Sequence, residues 1–264
     1  FKIDMKKVVA VIQARMGSTR LPGKILLEIE GKPLIQHIYE RLKNIQLIDE
    51  IVIATTNSSN EKYLEDFAKN QKISLYKGKE SDLANRILEA AHSVKGTVIV
   101  KINADSPLID TKLIYQGIKK YFNATQEPDL VTNTIDKKFP EGLQFGIFNV
   151  TSLEKFCYSE KSNFWREYFF MYFIENQDNY SIQNIKSNVD LSNIRLTVDY
   201  QEDLDLIRKI FSNLYNTNPF FGLEEILELL EKQPKLLEIN KKFVKNSFST
   251  YEEEKSDYLT KEKS

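Results

Sequence analysis

Short runs of apolar, β-branched residues alternate with amphipathic segments along most of this chain. Residues 8–12, 50–57 and 98–102 contain such runs, and their near-continuous apolarity is typical of strands buried on both faces of a sheet. Between them, apolar side chains recur at helical spacing, for example over residues 34–42 and 83–92. This alternation predicts an α/β fold built on a parallel or mostly parallel sheet.

The size and composition of the chain restrict its class. With 264 residues, 41% of them hydrophobic, it can form one large domain with a substantial core. We place this domain at residues 5–245 and a polar tail at 246–264. The net charge of −1 does not favour nucleic acid as a partner. A single cysteine, no visible secretory leader and no apolar run of bilayer length favour a cytoplasmic protein outside the membrane.

The first apolar run is followed by a loop that combines glycines with cations. Gly17 and Gly23 allow backbone to approach a ligand closely, and Arg15, Arg20 and Lys24 supply positive charge. A loop of this kind after the first strand of an α/β sheet is a common phosphate-binding site. The loop matches neither the Walker pattern nor the dinucleotide fingerprint, so an ordinary surface turn is the alternative.

Two aspartates follow predicted strands elsewhere in the chain. Asp105 comes just after the run at 98–102, and Asp199 follows a predicted strand at 194–198. A carboxylate beside bound phosphates is repelled unless a cation lies between them. Mg²⁺ commonly binds one or two carboxylates together with phosphate oxygens. A simple helix-capping role is the alternative for each aspartate.

Three segments carry a family resemblance that extends from about residue 8 to residue 210. Residues 12–24, Ile-Gln-Ala-Arg-Met-Gly-Ser-Thr-Arg-Leu-Pro-Gly-Lys, resemble the opening motif of the cytidylyltransferases. This family includes the acylneuraminate and CMP-Kdo synthetases and a branch involved in spore-coat polysaccharide synthesis. Asp105-Ser-Pro107 is similar to the family's Asp-x-Pro element, and residues 197–204 are similar to its Thr-Val-Asp-x-x-Glu-Asp-Leu element. The resemblance implies a Rossmann-like nucleotidyltransferase fold, related to A-type glycosyltransferases, with a mixed, mostly parallel sheet flanked by helices.

The resemblance and the strand ends together suggest the site residues. The predicted catalytic residues are Arg20, Lys24 and Asp105. The predicted nucleotide-binding residues are Gln13, Ala14, Arg15, Gly17, Ser18, Thr55 and Arg86. The predicted acceptor-binding residues are Gln144 and Arg166, and the predicted Mg²⁺ ligands are Asp105 and Asp199.

Thr55 has an alternative role, because a polar residue at a strand end can also cap the next helix. The chain departs from the family pattern at Ala104, where glycine is frequent, and at Tyr168, where histidine is usual. Gln144 and Gly146 stand where acidic residues are common. These last changes leave the identity of the acceptor open.

The predicted activity is transfer of CMP from CTP to an acidic sugar or related small-molecule acceptor, with release of pyrophosphate, for surface polysaccharide or glycoconjugate synthesis. A phosphate or phosphonate acceptor, giving a CDP-type product, is one alternative. A nucleotide-sugar glycosyltransferase is another, although Asp105-Ser-Pro107 does not supply its usual Asp-x-Asp metal motif; a non-catalytic nucleotide-binding protein is the third. Residues 134–190 are predicted to form an acceptor and dimerisation lobe, since the aromatic segment 164–174 suggests a homodimer contact.

Overall fold

The computed structural model describes residues 6–246 and 249–262. Its strands are β1 (Val8–Gln13), β2 (Glu28–Ile29), β3 (Lys32–Pro33), β4 (Glu50–Thr56), β5 (Ser74–Gly78), β6 (Val98–Asn103), β7 (Leu130–Thr132), β8 (Gly146–Asn149) and β9 (Ile182–Asn184). Its helices are α1 (Leu34–Lys43), α2 (Lys62–Gln71), α3 (Leu83–Ser93), α4 (Thr111–Asn123), α5 (Val150–Ser159), α6 (Asn163–Glu167), α7 (Phe169–Glu175), α8 (Gln201–Leu214), α9 (Leu223–Lys232) and α10 (Ser249–Glu262). Parts of the predicted domain and tail, at residues 5, 247–248 and 263–264, lie outside the described residues.

Within the described residues, seven strands form one sheet in the order β5-β4-β1-β6-β8-β7-β9. The strands β5, β4, β1 and β6 run parallel. β8 is antiparallel to both β6 and β7, whereas β7 and β9 are parallel. The sheet is therefore mixed and mostly parallel, which confirms the fold class predicted from the sequence.

The alternation of side chains along β1 shows how helices cover both faces of this sheet. Val8, Ala10 and Ile12 pack in one buried cluster with residues of α1, α4, α8 and α9. Val9 and Val11 pack in a second cluster with residues of α3, α5 and α7. A strand buried on both faces needs apolar residues at every position, as the sequence pattern indicated.

The carboxyl ends of the central strands determine where a ligand can bind. Gln13 at the end of β1 pairs in register with Asn103 at the end of β6. The loops that follow the two strands therefore leave the sheet at the same edge. In open α/β sheets, that edge is where ligands bind.

Some predicted elements differ from the structure. Residues 194–198 do not form a regular strand; Arg195 makes an isolated bridge with Glu141 instead. The aromatic segment 164–174 forms two helices, α6 and α7, that are separated at Tyr168. The predicted polar tail contains a helix, α10, whose Tyr258 stacks on Phe164 at 4.8 Å between ring centroids.

Residues 134–190 contribute β8 and β9 to the main sheet, and their acceptor and dimerisation roles stay predictions. Across residues 6–246 and 249–262, no helix combines the length and apolarity needed to span a membrane. The predicted cytoplasmic location, the homodimer and the lack of a nucleic-acid partner stay predictions.

Candidate active site

A cavity of about 460 Å³ opens at the edge of the sheet where β1 and β6 end. This volume lies in the usual range for small-molecule sites, roughly 300–1,000 Å³. The predicted site residues that line it are Gln13, Ala14, Arg15, Gly17, Ser18, Arg20, Lys24, Arg86, Asp105 and Asp199. The fold thus brings together the loop after β1, the loop after β6 and the segment before α8.

Hydrogen bonds at both ends shape the loop that follows β1. The carboxylate of Glu61 accepts from the backbone N–H of Met16 at 3.1 Å and from the hydroxyl of Thr55 at 2.8 Å. Near the other end, Gly23 adopts the left-handed conformation, with φ of 65°, which glycine tolerates without strain. The chain then enters a single 3₁₀ turn that places Lys24 in the cavity wall.

Lys24 joins the two predicted metal ligands. Its Nζ atom lies 3.0 Å from Oδ2 of Asp105 and 2.8 Å from Oδ1 of Asp199. Burial by itself lowers the pKa of this ammonium, but the carboxylates of Asp105 and Asp199 raise it above its ordinary value. Because one nitrogen bonds both side chains, the two carboxylates face the same point in space.

Backbone and side-chain contacts hold Asp199 near Asp105 even though it does not follow a regular strand. The N–H of Val198 donates to the carbonyl of Asp105 at 2.8 Å. The Asp199 carboxylate also accepts from Arg20 at 2.8 Å and from Arg195 at 2.8 Å. Burial raises the pKa of Asp199, but Lys24 and these arginines outweigh it, so the pKa lies below its ordinary value.

Arg195, which the sequence analysis did not select, connects this aspartate to the protein interior. Its guanidinium is 2% exposed and bonds Glu141, Asp199 and Asp203. Asp203 in turn accepts from the amide of Asn240 at 2.9 Å. A basic residue four positions before Asp199 and eight before Asp203 was the available signal, whereas its third partner, Glu141, is distant in sequence and carries no local pattern.

Arg86 also lines the cavity. Its Nη1 atom donates to the carbonyls of Lys79 and Glu80, at 2.5 and 3.1 Å. Its Nε atom is buried and has no partner within the described part of the chain. Burial lowers the pKa of Arg86 from its ordinary value, although Glu167 acts in the opposite direction. A buried N–H without a partner is one that a ligand can satisfy.

Thr55 and Gln144 are not among the residues that line the cavity, and their ligand roles stay predictions. Thr55 uses its hydroxyl to hold Glu61. Gln144 donates from Nε2 to the carbonyl of Pro140 at 3.0 Å and accepts at Oε1 from the N–H of Gly142 at 2.8 Å. These side chains stabilise the loops around the cavity.

Arg166 is also bonded to other parts of the fold and does not line the cavity, and its contact with an acceptor stays a prediction. Its Nη1 atom lies 2.8 and 2.9 Å from the two carboxylate oxygens of Asp82. Its other nitrogens donate to the carbonyls of Glu160 and Cys157. Arg166 therefore joins the start of α3 to the segment between α5 and α6.

Comparison with known proteins identifies the family. The family model described as cytidylyltransferase matches residues 9–243, which include the loop after β1, Asp105 and Asp199. The chain belongs to the cytidylyltransferase family. It is thus a member of the nucleotidyltransferase class of enzymes, which confirms the resemblance seen in the sequence.

Individual relatives agree with this membership. The structure of a cytidylyltransferase from Leptospira borgpetersenii matches with a TM-score of 0.83 and 30% identity, covering 88% of this chain and 97% of that one. The spore coat polysaccharide biosynthesis protein SpsF of Bacillus subtilis is 25% identical over 87% of this chain and 96% of its own length. The 3-deoxy-manno-octulosonate cytidylyltransferase of Escherichia coli is 36% identical, over 44% of this chain and 47% of its own length.

The donor set of this cytidylyltransferase fits a divalent cation that also binds phosphate. The described residues contain no cluster of three or more His, Cys, Asp or Glu side chains able to form an all-protein metal site. Asp105 and Asp199 nevertheless converge on one positive charge, the ammonium of Lys24. Two carboxylates completed by phosphate oxygens and water suit Mg²⁺, which retains part of its hydration shell.

Proposed function

We propose that this cytidylyltransferase transfers CMP from CTP to an acidic sugar or a closely related acceptor, with release of pyrophosphate. The observation that carries the proposal is the convergence of Asp105 and Asp199 on Lys24 beside a glycine-containing loop. The arrangement provides cations for a triphosphate and two carboxylates for a divalent ion. Membership of the family supports CTP as the nucleotide, and the relative acting on 3-deoxy-manno-octulosonate supports an acidic acceptor.

In this proposal, the residues of the chain mainly position and neutralise charged groups. The triphosphate lies along the loop after β1, where Arg15, Arg20 and Lys24 offset its negative charge. Asp105 and Asp199 hold Mg²⁺, which supplies further charge neutralisation when bound.

An acceptor oxygen forms a bond to the α-phosphorus of CTP. The bond between that phosphorus and the oxygen bridging to the β-phosphate breaks, and pyrophosphate leaves. A hydroxyl acceptor releases its proton, whereas an ionised phosphate acceptor has none to lose. Such in-line phosphoryl chemistry depends on orientation and electrostatics.

The biological context follows the relatives. SpsF of Bacillus subtilis is a spore coat polysaccharide biosynthesis protein and aligns over most of both chains. We therefore place the product in surface polysaccharide or glycoconjugate synthesis. A phosphorylated acceptor that yields a CDP-type product uses the same site and remains the second candidate.

A pyrophosphate-release screen tests the proposed activity. Each of the four ribonucleoside triphosphates is incubated with Mg²⁺ and with sugar acids, phosphorylated polyols or neutral sugars. We expect release with CTP and an anionic acceptor, and a loss of roughly 10²–10³-fold in the Asp105→Asn variant. No release with any pair, or full activity in Asp105→Asn, would overturn the proposal. Binding of CTP without turnover would instead support the non-catalytic alternative.

A further inference from the structure

Lys101 lies beside the cavity, and no predicted role uses it. It is the fourth residue of β6, and Asn103, two positions later, is on the same face of the strand and lines the cavity. The Lys101 ammonium donates to Oδ1 of Asn103 at 2.5 Å and lies 5.9 Å from the centre of the Phe170 ring. Within residues 6–246 and 249–262 it forms no salt bridge with a carboxylate.

The charged groups around Lys101 leave its positive charge incompletely compensated. Burial lowers the pKa of Lys101 to about 8, while the carboxylates of Asp105 and Glu167 act in the opposite direction and Arg86 adds to the lowering. An ammonium that is partly withdrawn from water and has no anionic partner is unfavourable. An anion entering from the cavity would remove this penalty.

Two of these neighbours are also available to a ligand. The Nε atom of Arg86 is buried and unpaired among the described residues. Burial raises the pKa of Glu167, although Arg86, Arg15 and Lys101 lie near enough to lower it. Lys101 and Arg86 can donate to an anion, and Glu167 can accept from hydroxyl groups next to it.

We propose that Lys101 binds the anionic group of the acceptor and thereby determines which acceptors the enzyme uses. The inference rests on the proposed function, because it assigns the acceptor side of the same site. The anion is a carboxylate or a phosphate, which have in common negatively charged oxygens that accept hydrogen bonds from an ammonium. This role replaces the one that the sequence suggested for Arg166.

Three cations that line the cavity already have carboxylate partners. Lys24 and Arg20 contact Asp199, and Arg15 is paired with Glu80 at 2.9 Å. They lie on the loop after β1, where the nucleotide phosphates are proposed to bind. Lys101 extends from β6 toward α7, so an acceptor anion at Lys101 need not compete with the nucleotide for these three cations.

The cavity also contains a negative group on this side. Glu254 of α10 lines the cavity, and its carboxylate accepts from the hydroxyl of Tyr168 at 3.0 Å. The Glu254 carboxylate repels an acceptor whose anionic group is not directed toward Lys101. The combination favours an acceptor whose anion is placed at β6 and whose hydroxyl groups face Glu254 and Glu167.

Kinetics of the Lys101→Met and Lys101→Arg variants test this role, with Lys120→Met as the matched control on the exposed face of α4. We expect Lys101→Met to raise the acceptor KM roughly 100-fold, the usual scale for truncating one partner of a buried charged pair. Its CTP Kd should stay at the wild-type value and its Tm should not fall, since the removed charge is unpaired. Lys101→Arg should retain part of the acceptor affinity.

Sugar acids and phosphorylated polyols are assayed separately. The class of acceptor whose KM rises in Lys101→Met identifies the bound anion as a carboxylate or a phosphate. An unchanged KM for both overturns the proposal. A lowered Tm with unchanged KM would show that Lys101 has only a structural role.

Thermal stabilisation by two probes, gluconate and glycerol phosphate, gives a readout independent of turnover. If the wild type releases pyrophosphate but Lys101→Met behaves like Lys120→Met, the inference fails and the proposed function stands. If no acceptor is used but a probe stabilises the wild type and not Lys101→Met, the proposed function fails and the anion site stands. If neither turnover nor stabilisation occurs, both fail.

Discussion

Replacement of Arg195 by glutamine removes the cation that joins three carboxylates under the active site. The guanidinium is 2% exposed, and its bonds include 2.9 Å to Asp203 and 2.8 Å to Asp199. Removing one member of a buried ion pair usually destabilises a protein by about 3–5 kcal/mol. Asp199 keeps Lys24 and Arg20 as partners, and Asp203 keeps Asn240 and backbone N–H groups. We therefore expect Arg195→Gln to lower the free energy of unfolding by about 3 kcal/mol, the lower end of this range.

For a chain of this size, that loss corresponds to a fall in Tm of roughly 6–12 °C. Chemical and thermal denaturation of Arg195→Gln at pH 7 measures this loss of stability. Arg195→Lys keeps the charge but not the planar guanidinium, so its stability should lie between those of the wild type and Arg195→Gln. A variant within about 1 kcal/mol of the wild type would show that the buried network does not stabilise the fold.

The same comparison has a defined pH dependence. The pKa of Asp199 is lowered from its ordinary value of 3.8, so its contribution to stability is fully present above that value and is lost as the pH falls through the lower folded-state pKa. The difference between wild type and Arg195→Gln should thus be largest near neutral pH and should narrow below pH 3.8. A difference that grows in acid would contradict the ion-pair explanation.

Further variants test the elements that surround the cavity. Arg166→Met should lower stability by about 1–3 kcal/mol and leave the CTP Kd unchanged in calorimetry, because Arg166 contacts Asp82 rather than the cavity; weakened CTP binding would refute this. Gly142→Ala should cost about 2–3 kcal/mol in denaturation, since φ is 97° and an added Cβ lies 2.6 Å from neighbouring backbone; an unchanged Tm would refute it. Deletion of residues 249–262 should shift the fluorescence of Trp165 to the red, because α10 packs beside this single tryptophan; an unshifted spectrum would show that the helix does not cover it.

The parts of the fold that depend on local pattern were predictable from the sequence. The runs that form β1 and β6 are apolar at nearly every position, which is typical of strands buried on both faces of a sheet. Their position and their parallel pairing therefore follow from residue type. Asp105 lies just after β6 and Lys24 lies on the loop after β1, and both loops leave the sheet at the same edge. Asp199 was correctly predicted to lie near Asp105. The expectation that it follows a strand was wrong, because residues 194–198 form no regular strand.

Hydrogen-bond partners supplied by distant segments were not predictable in this way. Arg166 is a typical anion-binding residue, yet its partner Asp82 lies 84 positions away in the chain and removes it from the cavity. Arg195 and Lys101 appear in sequence as single charges within apolar stretches. Only the assembled sheet shows that Arg195 has three carboxylate partners and that Lys101 forms no ion pair within the described residues.

The most direct test of the central claim is calorimetric titration with CTP, with and without Mg²⁺, of the wild type and of Asp105→Asn. Asp136→Asn is the control, because Asp136 is exposed. If Asp105 and Asp199 hold a divalent ion against the nucleotide, Mg²⁺ tightens CTP binding by at least about tenfold, or 1.4 kcal/mol, in the wild type and in the control, and not in Asp105→Asn. An equal effect of Mg²⁺ in all three proteins would contradict the account.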